Sequence, residues 1–283
     1  MHRRPFLALF VTPAILVAAV ITFALAAILQ DSFRAYQPGS LDVGGFTWEN
    51  FSELTRPIFL RAYRDTVMIC FETALFTLIV GYPVAYALVR TNSVALKSFI
   101  LVTAVTPLFL GEVVRTYAWT VVLGNTGFLN AALTKSGLID RPIQFLFTES
   151  GVVLALVHVT LPVMVIMLAA ALSHIDRDYE KAAESLGAGP VRAFLTVTLP
   201  LSMPGVVAGF TTAFAWTFSA FATPQIIGGG KVSVVSTLVY QLGLSSFNFP
   251  FAATLSLAGL GLALIVMLGV RRAFRPFEDW AAH

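Results

Sequence analysis

A chain of 283 residues with 57% apolar side chains, 12% charged ones and a mean hydropathy of +0.83 has too little polar sequence to coat a globule, since soluble domains run near 45–50% apolar and about 25% charged. An ordinary cytosolic enzyme, a nucleic-acid binder and a disordered chain are thereby excluded, and a formal net charge of +3 is too small to suggest polyanion binding. Cys70 is the only cysteine, so there is no disulfide framework and no multi-cysteine metal site.

Crossing a bilayer as a helix takes about 20 mostly apolar residues. Six stretches qualify: 6–29, 66–89, 99–123, 151–172, 205–227 and 251–270. Lipid cannot satisfy open backbone groups, and these runs lack a barrel's alternation. The expected class is therefore all-α: a polytopic membrane protein with six transmembrane helices in a single domain over 1–283.

The first stretch follows Arg3 and Arg4 and contains Ala24-Leu25-Ala26, as a signal peptide would. It exceeds the about 7–15 residues of a signal core and reads as a span. After it, 45–64 sets Phe46, Trp48, Phe51, Leu54, Ile58, Phe59, Leu60 and Tyr63 among charges, an amphipathic pattern suited to the membrane surface. Asn50-Phe51-Ser52 has the form of a glycosylation acceptor, a weak match.

Span two holds Cys70, read as a buried thiol, and Glu72, which sits either in a pathway or at the outer interface. Span three runs Pro107-Leu-Phe-Leu-Gly-Glu112-Val-Val-Arg115-Thr-Tyr117-Ala-Trp119. Glu112 and Arg115 share a helix face. They either neutralise each other as an ion pair or line a pathway in which Glu112 meets a cationic substrate. His158 in span four reads as a hydrogen-bonded core histidine. Tyr117, Trp119 and Trp216 are candidate cation–π contacts along a pathway, although aromatics in membrane helices more often pack or form belts. Pro83, Pro107 and Pro162 can kink spans two to four, and Gly205-x-x-x-Gly209 suits close helix packing in span five.

Between spans four and five lies a polar loop, 173–204. Asp176 or Asp178 can N-cap a short helix that Gly187 ends in a left-handed conformation, and Tyr179, Ala182, Ala183 and Leu186 then share a face. A second helix begins near Pro190 and runs to Leu199-Pro200. Beyond span five, Gly228-Gly229-Gly230-Lys231 fails as a P-loop, because Gln225 stands at the first glycine position and Val232 replaces the hydroxyl residue. No His/Cys/Asp/Glu cluster has metal spacing, and no catalytic residue is assigned.

Six spans put 1–5, 90–98, 173–204 and 271–283 on one side, with Arg3, Arg4, Arg90, Lys97, Arg177, Lys181, Arg192, Arg271, Arg272 and Arg275. The longer opposite loops carry only Arg34, Arg56, Arg61, Arg64, Lys135, Arg141 and Lys231. Both termini are therefore expected in the cytoplasm, with the 173–204 loop.

The order Ala182-Ala183-x-x-x-Gly187, then Val197-x-Leu199-Pro200, resembles the EAA loop of ABC importer permeases. The residue before the two alanines, usually Glu in that family, is Lys181 here, with Glu180 beside it and Glu184 one turn later. The span-three segment, Gly127-Phe-Leu-Asn130, Phe221-Ala-Thr-Pro224-Gln-Ile-Ile-Gly228 and Leu238-Val-Tyr240 resemble the spermidine/putrescine-type permeases, specifically their B-type subunit. The resemblance implies a type I ABC importer transmembrane domain in the bacterial cytoplasmic (inner) membrane, importing polyamines or a related small amine or organic ion. It implies that Asp178, Tyr179, Glu180, Lys181, Ala182, Ala183, Glu184, Leu186, Gly187, Leu199 and Pro200 form the coupling loop for a separate ATPase. It also implies two ATP-binding subunits that hold ATP and Mg2+, no cofactor in this chain, a C-type second permease forming a heterodimer, a periplasmic substrate-binding protein, and surrounding membrane lipid. The alternative is a self-contained secondary transporter driven by an ion gradient, suggested by Glu72, Glu112 and His158.

Overall fold

The computed structural model describes the backbone of residues 3–39 and 44–281 and the side chains of 11–39 and 44–275. The side chains of Arg3 and Arg4, counted in the charge asymmetry, lie outside the described residues. In chain order the helices are α1 (Arg3–Ser32), α2 (Glu49–Glu53), α3 (Pro57–Arg90), α4 (Val94–Val105), α5 (Glu112–Leu123), α6 (Phe128–Lys135), α7 (Glu149–Ser173), α8 (Arg177–Ser185), α9 (Pro190–Ala193), α10 (Leu199–Leu201), α11 (Met203–Ser219), α12 (Ala222–Ile227), α13 (Val235–Tyr240) and α14 (Phe249–Ala281). Among the described residues the only β pairing is an isolated bridge between Arg34 and Phe46.

Four helical stretches are long and apolar enough to cross a membrane unbroken: Val11–Ser32, Pro57–Arg90, Glu149–Ser173 and Phe249–Arg275. Two further helix pairs are long and apolar enough only when each bent pair is taken as one span. Val94–Phe109 meets Glu112–Lys135 at 111°, and Pro190–Leu201 meets Met203–Ser219 at 66°. The straight helix expected over 99–123 is thus broken. Pro107 falls in a 3-10 turn over Thr106–Phe109, after which Leu110 and Gly111 turn to extended backbone (ψ 131° and 143°). Span five, expected to run to 227, ends at Ser219. Continuing it would drive the Pro224 ring into the Ala220 carbonyl four residues back, so Ala220 extends (ψ 129°) and α12 starts afresh.

The amphipathic surface segment expected over 45–64 is also divided. Its first part is loop and α2, while Pro57, well suited to a helical first turn, opens α3. Asn50 is not a glycosylation acceptor. It is buried, and its amide donates to the carbonyls of Ser32 (2.9 Å) and Arg34 (2.8 Å).

The chain divides into two compact units: Met1–Tyr63 with Val235–Gly261, and Arg64–Val234 with Leu262–His283. In the first, Phe33, Phe46, Trp48 and Phe51 form an aromatic cluster. Phe59 meets Phe251 edge-on at 4.8 Å, and the Tyr63 hydroxyl donates to the Leu255 carbonyl at 2.7 Å.

In the second unit α7 is the buried axis. Met164, Val165, Leu168 and Leu172 pack with Cys70, Ala74 and Ala85 of α3 and with Val206, Phe210 and Phe214 of α11. Nearer its start, Val152, Val153 and Leu156 pack with Ile69, Leu123, Ile227 and Val234. Because lipid is as apolar as these side chains, the gain comes from close packing and buried hydrogen bonds rather than from leaving water. Small residues allow that closeness: a Cβ on Gly205 would land on the Ala171 methyl group, and one on Gly209 would sit 2.6 Å from the Met164 sulfur. Thr77 and Thr160 add a buried hydroxyl bond of 2.8 Å between α3 and α7.

Gly205→Ala is expected to lower stability by about 1–3 kcal/mol through overpacking against α7, whereas a Cβ on Gly269 meets nothing within 4 Å and Gly269→Ala should be neutral or slightly stabilising. Thermal denaturation of the two variants in one detergent checks the contrast.

Candidate coupling site and translocation pathway

Helix α8 owes its definition to its caps. The Asp176 carboxylate accepts the Asp178 N–H at 3.0 Å, satisfying a donor that the first turn leaves open. At the other end Gly187 has φ +89°. Its N–H donates to the Glu184 carbonyl (2.9 Å), and the Ala188 N–H donates to the Ala183 carbonyl (3.1 Å), the two bonds of a Schellman ending. Gly187 ends the helix as its position suggests, and of the two N-cap candidates, Asp176 and Asp178, it is Asp176 that caps.

The two faces of α8 differ. Tyr179, Lys181, Ala182 and Leu186 face outward, and Leu186, at 90% exposure, is an apolar knob at the helix tip. Lys181 pairs with Asp178 at 2.7 Å, and that carboxylate holds the ammonium above its ordinary pKa. Both groups stand in water, so the pair holds little. Glu184 is likewise exposed.

Glu180 instead turns inward. Its Oε1 accepts Arg90 Nη2 at 2.9 Å and the Thr198 hydroxyl at 2.5 Å. Arg90, the last residue of α3, also donates from Nη1 to the Ile175 carbonyl (3.1 Å) and lies over the Tyr86 ring. Arg177 donates in return to the Arg90 carbonyl (2.5 Å) and to Asn92 (3.3 Å).

The second helix of the loop starts at Pro190 as its sequence suggests, but it widens to a π turn over Phe194–Thr198. Pro200 explains the widening: it offers no N–H to the Thr196 carbonyl, and the Leu199 N–H bonds five residues back to Phe194. Leu199 is half-buried against the α7 core.

Glu112 is exposed at the first position of α5, where the helix dipole favours a carboxylate. Arg115 is only 7% exposed and makes no ion pair with Glu112. Its Nη1 donates to the Pro107 carbonyl at 2.7 Å, across the break in span three. Trp119 is engaged too. Its indole N–H donates to His158 Nδ1 at 3.1 Å, and because indole can only donate, the imidazole proton sits on Nε2. His158 is hydrogen-bonded as expected, but it is half-buried rather than part of the core. Tyr117 and Trp216 keep exposed rings, and Glu72 is half-buried on α3.

At Gly228–Lys231, Gly229 (φ +54°) and Gly230 (φ +76°) make a turn against Phe147, whose ring the Lys231 ammonium overlies at 5.7 Å. Among the described residues no group of His, Cys, Asp and Glu could hold a metal. Sequence reasoning missed Arg90, Arg177 and Thr198 as members of the loop's support. The available signal was an arginine at the last turn of span two, which served only for orientation.

Residues 74–275 match the family described as the binding-protein-dependent transport system inner membrane component. The spermidine/putrescine transport system permease protein PotB of Haemophilus influenzae is 29% identical over 261 residues, 91% of this chain and 90% of that protein. The molybdenum transport system permease protein ModB of Mycobacterium bovis is 33% identical over 228 residues, 79% of this chain and 83% of that protein. A chain of a bacterial alginate ABC transporter, solved with an alginate pentasaccharide-bound periplasmic protein, shares the fold with a TM-score of 0.78 at 19% identity, covering 97% of this chain and 95% of that one. The chain belongs to the inner membrane components of binding-protein-dependent transport systems and is the multi-pass permease subunit of an ABC importer, whose ATPase is a separate subunit.

Proposed function

We propose that this permease imports a polyamine or a related small amine or organic ion, and that α8 is the coupling helix through which two ATP-binding subunits, holding ATP and Mg2+, drive it. The observation that carries the coupling reading is the doubly capped α8, with Tyr179, Ala182 and the nearly bare Leu186 on its outer face. A short helix with both ends satisfied moves as a rigid body, and an exposed apolar knob between small residues suits a groove on a soluble partner. Asp178, Lys181 and Glu184 supply exposed polar groups along the helix that ends in that knob; Glu180 is occupied within the chain. Closure of the ATPase pair then biases two arrangements of the membrane helices.

In this reading the chain is one transmembrane domain over 1–283 and forms half of the pathway, the other half coming from a C-type second permease in a heterodimer. A periplasmic binding protein delivers the substrate, lipid surrounds the helices, and both termini lie in the cytoplasm. The polyamine assignment is supported by PotB, whose match spans most of both chains, and by the exposed Glu112 carboxylate with Tyr117 and Trp216 as cation–π partners. Trp119, bonded to His158, serves as support. A small oxyanion is the second reading, favoured by Arg115, a buried guanidinium with no carboxylate partner among the described residues.

Leu186→Asp should abolish co-purification of the ATP-binding subunits while insertion and monodispersity of the permease persist. Retained ATPase would sink the coupling reading. Gly187→Leu forces a left-handed Leu, strained by about 1–2 kcal/mol, and should weaken the same association less severely. For the pathway, replacing Glu112 with Gln removes a charge-assisted contact of about 1.5–3 kcal/mol. Uptake of radiolabelled spermidine by proteoliposomes at subsaturating substrate should fall about tenfold or more. Transport of molybdate instead of spermidine would favour the oxyanion reading.

A further inference from the structure

We propose that Arg90, Arg177 and Glu180 form a reciprocal clamp that makes α8 and the end of α3 a single moving body, with Glu180 a positioning residue and not a contact for the ATPase. This rests on the coupling reading of α8. Arg90 reaches from α3 to the Glu180 carboxylate (2.9 Å) and the Ile175 carbonyl (3.1 Å), while Arg177 reaches from α8 to the carbonyl of Arg90 (2.5 Å). Arg177 of α8 thus grips the last backbone carbonyl of α3, while Arg90 of α3 grips the Glu180 carboxylate of α8 and the turn that leads into it, and neither arginine can leave without stranding its acceptors.

The ion pair is shielded, with side-chain exposures of 12% and 17%. That contrasts with the Lys181–Asp178 pair on the outer face, exposed at 70% and 77%. Burial makes the inner pair stiff: removing one member leaves an uncompensated charge, whereas the outer pair can open freely. The Thr198 hydroxyl, on the same Glu180 oxygen, ties in the π turn that leads to span five. One carboxylate therefore holds the cytoplasmic ends of two membrane segments to α8. A push on the outer face reaches α3 through the guanidinium and span five through the hydroxyl.

The test uses the complete transporter, permease pair with both ATP-binding subunits and the binding protein, in proteoliposomes. Glu180→Gln and Arg177→Gln are expected to keep the ATP-binding subunits bound but to lower substrate imported per ATP hydrolysed by about fivefold or more, the scale of a lost coupling between sites. The double variant should be no worse than the more impaired single one, as for members of one network. Unchanged import per ATP in both single variants would overturn the clamp. So would loss of the ATP-binding subunits from the Glu180→Gln complex, which would place that carboxylate on the partner. Failure of the coupling reading is seen separately, as retention of the ATPase by Leu186→Asp.

Discussion

Inside a bilayer no water waits for a carbonyl or an N–H that a helix leaves open, and much of the polar chemistry of this chain answers that constraint. At several places where a helix breaks or ends, a side chain with several donors stands at the exposed carbonyls. Arg115 meets Pro107 across the break in span three. Asn130, fully buried, closes the 124–143 turn by donating to Gly124 and Ile143 and accepting from the Ile143 N–H. Asn50 does the same for Ser32 and Arg34, as Arg90 and Arg177 do for Ile175 and the end of α3. Shielded polar residues at these turns and helix ends therefore act first as repairs to the backbone. Glu112, Tyr117 and Trp216, by contrast, keep exposed side chains.

The same division is seen around α8. The apolar parts of span four and span five are locked by glycine-level contacts, with Gly205 against Ala171 and Gly209 against Met164. The polar parts are locked by guanidinium-to-carbonyl bonds. Between these rigid bodies lie the π turn at Phe194–Thr198 and the 66° bend before Met203, where Pro200 and Pro204 remove ladder donors.

The family was legible in local order. Ala182-Ala183, Gly187 and Leu199-Pro200 encode caps and breaks that depend on neighbours a few residues away; Gly187 ends α8 as its position suggests, and Asp176, one of two candidates, caps its start. Glu112 and Arg115 were harder to read. Both lie on α5, three residues apart, where a pair would be expected; but the 111° break just before Glu112 leaves the Pro107 carbonyl within reach, and Arg115 bonds there instead. Trp119 likewise pairs with His158, thirty-nine residues on, which no helical spacing reveals.

By itself the sequence determined that the chain lives in a membrane, about where it crosses, and which loop is shaped like a coupling helix. Those features rest on runs of hydropathy and on capping chemistry, both local along the chain. Only the tertiary structure decided which charges are available. Glu180 is taken by Arg90 and Thr198 while Lys181 and Glu184 remain in water, because side chains adjacent on a helix point about 100° apart and only the arrival of α3 fixes which of them is covered.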